Sequence, residues 1–160
     1  CDERNAEPGF DNFQTFMAAV IDSMLVAQTF CNAAEEMGFG ICYLGTTTYN
    51  ADKIIEALKI PRLVVPITTV TVGYPDGMPD QVERLPLEAI IHNETCADYT
   101  SDDINRLYES KEALADNKKF VLENNKETLA QVFTDVRYTK KNNEFFSEAF
   151  INVLKEQGFM

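Results

Sequence analysis

The longest hydrophobic pattern in the chain covers residues 13–37, where Phe16, Val20, Met24, Ala27, Cys31 and Ala34 recur at helical spacing. Phe13, Met17, Ile21 and Leu25 lie beside that stripe. The spacing therefore predicts a helix buried on much of its circumference, the central helix of a domain. Gly38 stands where a left-handed cap would end it. Residues 40–45 are a short apolar run between glycines and predict a buried strand. A second helix is predicted over 50–58, capped by Asn50, with Ile54, Ile55 and Leu58 as its apolar face and Pro61 beyond its end. Residues 63–72 are rich in β-branched side chains and predict a core strand, with Pro66 confined to its start or edge. After a turn over 73–77 and an irregular loop, residues 87–92 predict another short strand. The remainder reads as helical. Thr100 or Ser101 caps a helix held by Ile104, Leu107 and Tyr108, and residues 120–133 form another. A last helix shows Phe146, Phe150, Val153 and Leu154 on one face, with Gly158 as its C-cap and Phe159 as the apolar contact after it. The sum is an α+β domain with few strands and long helices.

Composition narrows the function. The chain has 160 residues, 45% of them apolar, which is enough for one domain with a core. No apolar run reaches the ~20 residues of a membrane span, since Asp22, Ser23 and Gln28 interrupt the most apolar stretch, so no membrane association is expected. The net charge is −12, a field that repels nucleic-acid phosphates and argues against DNA or RNA as a partner. Four cysteines, Cys1, Cys31, Cys42 and Cys96, form no CxxC. Cys31 and Cys42 lie in apolar sequence and read as buried thiols in a reducing, cytoplasmic setting. One histidine, His92, gives no support for a Cys/His metal site, and on a predicted strand it reads as structural. The pairs Glu35-Glu36 and Asp102-Asp103 read as solvent-facing. No GxSxG, HExxH, Walker loop or GxGxxG is present. An enzyme with so few acids, bases and nucleophiles would take its chemistry from a cofactor.

Two further segments stand out. One is Glu35-Glu36-Met37-Gly38-Phe39-Gly40-Ile41-Cys42-Tyr43-Leu44-Gly45-Thr46. The other starts at Val65-Pro66-Ile67, passes Val72-Gly73-Tyr74-Pro75 and ends at Glu83-Arg84-Leu85-Pro86. In this order, after a helix containing Ala19-Val20-Ile21-Asp22-Ser23-Met24-Leu25-Val26-Ala27-Gln28, they resemble the nitroreductase family, most of all its NADPH-dependent nitroreductase and flavin reductase branch. The likeness covers residues 1–99, and residues 130–140 with the last helix also resemble some bacterial members.

The resemblance implies an α/β/α sandwich with a small, mainly antiparallel sheet around a long central helix. It implies one domain over 1–160, with 100–141 as a helical excursion that shapes substrate access. It also implies a homodimer with FMN at the subunit interface, passing electrons by a ping-pong mechanism. The donor would be NAD(P)H and the acceptor a small molecule such as a nitroaromatic, a quinone or a flavin. No side chain would be catalytic, because the flavin carries the chemistry. Backbone amides around Gly45 and Thr46 would face the ring's reactive edge, with Tyr43 in the same wall, and Gly45 would allow close approach. Thr46 departs from the family's second glycine. Arg84 matches the arginine that pairs with the FMN phosphate, where a planar fork holds two oxygens. Some relatives carry a second base two residues earlier, where this chain has Val82. Arg137, Lys140 and Lys141 are candidates for the phosphates of a nicotinamide cofactor. The Ser/Arg-rich phosphate motif at the start of family members has no counterpart here. On family length, on the order of eighty N-terminal residues are expected to be missing, and the 160 residues alone to be inactive. The rival expectations are a flavin-sequestering protein on the same scaffold and an inactive remnant.

Overall fold

The computed structural model describes residues 1–160, with every side chain except that of Asp2. The chain divides into two compact units, one of Cys1–Met78 with Glu144–Met160, the other of Pro79–Asn143. Its elements are helices and one small antiparallel sheet, the α+β class expected from the pattern.

In the first unit, α1 spans Phe13–Glu36, with the Asn12 side chain accepting from the Thr15 amide at its start. Gly38, at φ +86°, turns the chain out of α1, and the Phe39 amide reaches back to the Ala34 carbonyl at 3.0 Å. That is the predicted left-handed exit, and glycine adopts it without a Cβ clash. The chain then enters β1 (Gly40–Leu44), which pairs antiparallel with β2 (Thr69–Gly73) from Gly40↔Gly73 to Leu44↔Thr69. Gly40 is small for a reason: a Cβ there would stand 3.3 Å from the Pro75 Cβ. Between the strands lies α2 (Ala51–Leu58), closed by Lys59 in a left-handed conformation. The core is Phe16, Leu154 and Phe159, with Val20, Val65, Ile67 and Phe150 packed on it.

The second unit holds α3 (Ser101–Ala113), α4 (Ala115–Glu123), the single turn α5 (Leu129–Gln131) and a π-helical turn over Val132–Arg137. Leu107, Leu129 and Val132 are buried in it. The last helix, α6, spans Lys140–Gln157. Gly158 at φ +89° caps it, and Phe159, 6% exposed, donates its amide to the Leu154 carbonyl, the exit expected for this helix.

Several expectations are corrected. The stripe of α1 has the predicted phase, with Phe16, Cys31 and Ala34 buried and Val20, Met24 and Ala27 half-buried. The adjoining face is uncovered: Ile21, Leu25, Val26 and Phe30 are all more than half exposed. Periodicity identified which side faces the unit but not how far its cover extends. α1 is also long and apolar enough, by length and composition, to cross a membrane, because a single Asp22 does not break its apolar character. Cys42 is exposed, as is Leu44 two residues on along the same face of β1, so that face is not buried as expected. The strand expected over 63–72 begins only at Thr69. Leu63 sits at φ +65° and Pro66 has no N–H, so the preceding residues cannot join a ladder. Residues 87–92 are not a strand: the Ala89, Ile90 and Ile91 amides fold back onto the Pro86 and Leu87 carbonyls as a 3-10 turn. The helix expected over 120–133 breaks after Glu123, where Asn125 takes φ +53° and Thr128 starts a new turn by a capping box with Gln131. Asn50 does not cap α2; its side chain donates instead to the Thr46 carbonyl.

Asp103 is more than the solvent-facing acid expected. It forms a capping box with Thr100, and the Thr100 hydroxyl, the Thr100 amide and Arg106 hold its carboxyl below the usual carboxylate range. A depressed folded-state pKa stabilises above the unfolded value, and that contribution disappears as pH falls through the folded one. Thr100→Ala should cost about 1 kcal/mol of stability at neutral pH, with the deficit shrinking in acid, as denaturant titration at both pH values will show.

Candidate functional site

The turn after β1 is built by three polar side chains. Thr47, 5% exposed, donates its hydroxyl to the Leu44 carbonyl at 3.2 Å and meets the Thr69 hydroxyl at 3.0 Å. It thereby ties the end of β1 to the start of β2. The Thr46 carbonyl accepts from the Tyr49 amide and from the Asn50 side chain. With that carbonyl turned toward α2, the amides of Gly45 and Thr46 have no backbone acceptor among the described residues. Gly45 itself is unexplained by the chain. Its φ is not positive, and a Cβ built on it meets nothing within 4 Å. Neither backbone strain nor packing within the protein requires a glycine there. Gly9, Gly73 and Gly77 are equally open, and at Gly45 the missing side chain leaves room for a flat ligand to approach the turn.

Tyr43 lies half-buried on β1 with its hydroxyl 3.5 Å from the Gln28 Oε1 of α1. A hydrogen bond with the buried Cys31 thiol, then partial burial, push the phenol above its ordinary pKa. The residue holds β1 on α1 immediately before the open turn.

Arg84 belongs to the second unit and is exposed. Its Nη1 donates to the Val82 carbonyl at 2.9 Å and the Glu83 carbonyl at 3.4 Å. The Nε–Nη2 edge has no acceptor among the described residues and presents two parallel donors, the pattern that suits a pair of phosphate oxygens. Taken separately, the open backbone edge at Gly45 has the form that a flat ring needs, and the Arg84 fork the form that a phosphate needs. Among the described residues no group of three His, Cys, Asp or Glu is placed to hold a metal.

Of the other candidates, the Arg137 guanidinium lies 4.9 Å over the Phe120 ring, and Lys141 is exposed. His92 is in a loop, exposed, with its Nε2 3.2 Å from the Tyr99 hydroxyl. Sequence reasoning overlooked Thr47, Lys111 and Asn117. Thr47 stood in a run of three threonines with nothing to separate it from its neighbours. The partners of Glu83, Lys111 and Asn117, are 28 and 34 residues away, beyond any local pattern.

Comparison with known proteins finds similarity in sequence and in fold. The model of the nitroreductase family matches residues 12–74, a stretch that contains α1, β1, the Gly45 turn, α2 and β2. A crystal structure of a protein from Bacteroides fragilis NCTC 9343, provisionally named an oxidoreductase, superposes with a TM-score of 0.96 at 65% identity, over 100% of this chain and 65% of that one. The likeness to the nitroreductase family thus rests on residues 12–74. The NfrA1 nitroreductase of Bacillus subtilis superposes with a TM-score of 0.77 at 28% identity, over 99% of this chain and 63% of that one. In sequence, the FMN reductase (NADPH) of B. subtilis strain 168 is 39% identical over 92 residues, 58% of this chain and 37% of the relative. An oxygen-insensitive NADPH nitroreductase of Salmonella typhimurium is 33% identical over 79 residues, 49% of this chain and 33% of the relative. The chain thus spans about a third of the length of these two curated relatives.

Proposed function

We propose that the protein is an FMN-dependent oxidoreductase that takes electrons from NAD(P)H and passes them, in alternating half-reactions, to a small-molecule acceptor such as a nitroaromatic, a quinone or a flavin. The observation that carries this reading is Gly45, a glycine that nothing in the chain demands, beside two amides without backbone acceptors. Bound there, FMN would supply the hydride and electron chemistry. The chain's own residues would do the rest. The Gly45 and Thr46 amides would donate to the ring's polar edge, Tyr43 would keep β1 seated on α1, and Arg84 would hold the phosphate. No acid, base or nucleophile in the chain is assigned a part in the chemistry. The names of the sequence relatives, which pair NADPH with FMN reduction or nitro reduction, support the donor and the cofactor.

The same reading makes the protein a homodimer, and the uncovered apolar face of α1 supports that, because exposed contiguous apolar surface of this kind marks a contact. Stopped-flow mixing of the FMN-loaded protein with NADPH tests the function. Rapid bleaching of the flavin absorbance, followed by recovery when a quinone is added, is the expected course. Flavin that stays oxidised over many minutes would instead mean a storage protein. Light scattering should give twice the chain mass.

A further inference from the structure

Residues 79–85 contain Arg84 and have no regular structure and no backbone–backbone hydrogen bond among the described residues. Something else must set their course, and side chains do. The Glu83 carboxylate receives Lys111 Nζ, from the last turn of α3, at 3.2 Å. It also receives the Asn117 side-chain amide, from the first turn of α4, at 3.3 Å. The same Asn117 amide donates to the Lys111 carbonyl at 2.8 Å, so the two helices are joined at the point where they grip the loop. Further along, Glu88 pairs with Arg106, and the Tyr99 hydroxyl donates to the Ala89 carbonyl at 2.9 Å.

We propose that Lys111 and Asn117, acting through Glu83, are positioning residues that hold Arg84 in the orientation a phosphate needs. This rests on the reading of Arg84 given above. Two physical effects combine. A bidentate guanidinium contact depends on orientation, and a loop without backbone hydrogen bonds would leave Arg84 to be ordered at the expense of binding. The second effect is competition. Glu83 is the nearest anion to Arg84 in the sequence, and a carboxylate left free there would fold onto the guanidinium fork or repel the phosphate. Lys111 and Asn117 draw that carboxylate away, and the Asn117 hydrogen bond, then the Glu83 backbone amide and Lys111, hold it below the usual carboxylate range. Among the described residues Arg84 is left with only its Nη1 engaged, on the Val82 and Glu83 carbonyls.

The experiment is a paired titration with FMN and with riboflavin, which has the ring but no phosphate, together with hydrogen exchange across residues 80–86. Lys111→Met removes the charge and keeps the length. It should weaken FMN binding by about three- to fivefold, the range of an exposed ion pair, leave riboflavin unchanged, and speed exchange in the loop. Glu83→Gln in the Lys111→Met background should restore part of the FMN affinity, since the stray carboxylate is then gone. In an Arg84→Ala background Lys111→Met should cost nothing further, which separates positioning from simple attraction between Lys111 and the phosphate. An unchanged FMN-to-riboflavin ratio in Lys111→Met, beside a loss in Arg84→Ala, would overturn the clamp alone. Equal weakening of both flavins would also overturn it, by making the clamp purely structural. No change in FMN affinity on Arg84→Ala would remove the underlying reading and the clamp with it.

Discussion

Arg84→Ala is expected to weaken FMN binding by about 10- to 150-fold, because a charge-assisted bond to phosphate contributes about 1.5–3 kcal/mol and each ~1.4 kcal/mol is a factor of ten. The side chain is exposed, and its two internal bonds are to carbonyls of its own loop, so truncation leaves no buried charge behind. The fold should therefore survive, and the change should appear as affinity alone. Arg84→Lys should recover only part of the loss, since an ammonium cannot offer the parallel pair of donors. Riboflavin should bind the wild type and both variants alike. Fluorescence titration of the two flavins makes the comparison, and an FMN affinity indifferent to Arg84 would place the phosphate elsewhere.

The largest stability effect should come from Phe159→Ala. Phe159 is 6% exposed, and its ring lies 5.2 Å from that of Phe16, which in turn contacts Phe150. The residue closes the end of α6 onto the start of α1, joining segments nearly the whole chain apart within one unit. Truncating a buried phenylalanine costs about 3–5 kcal/mol through lost burial and the cavity left behind. At roughly 2–4 °C per kcal/mol for a chain of this size, the melting temperature should fall by on the order of 10 °C. Phe145, 65% exposed on α6, is the control, and its replacement by alanine should change stability by no more than about 0.5 kcal/mol. Calorimetry of the two variants side by side tests this. Equal losses would mean that Phe145 is covered in the assembled protein.

The contrast between those two phenylalanines shows where sequence reasoning stopped. Phe159 was legible because it follows Gly158, and a glycine after an amphipathic helix calls for an apolar residue to cover the cap. Phe145 lies off the apolar face set by Phe146 and Phe150, and only burial separates it from its neighbour. The candidate site divides in the same way. Gly45 stood out as one of several closely spaced glycines, but the pattern could not say why it is a glycine. Gly40 is small because Pro75 approaches it, Gly38 because φ is positive, and Gly45 for neither reason. That elimination required coordinates. Arg84 was legible from the residues around it, whereas the grip of Lys111 and Asn117 on its neighbour was not.

By itself the sequence determined what depends on neighbours a few residues apart. That includes the phase of α1, the glycine exits of α1 and α6, a cap for α3 at Thr100 or Ser101, the β1 strand, and the order of segments that resembles the nitroreductase family. These follow from periodicity and from the conformational limits of single residues, which act locally. The tertiary structure decided what depends on contacts distant in sequence. It shortened the 63–72 strand to a partner's length, turned residues 87–92 into a 3-10 turn, and broke the helix expected over 120–133. It also left one face of α1 without cover in this chain. Whether an apolar run becomes a strand depends on whether a ladder partner lies opposite it, and whether a helix face is buried depends on what packs there. Neither is written in the run itself.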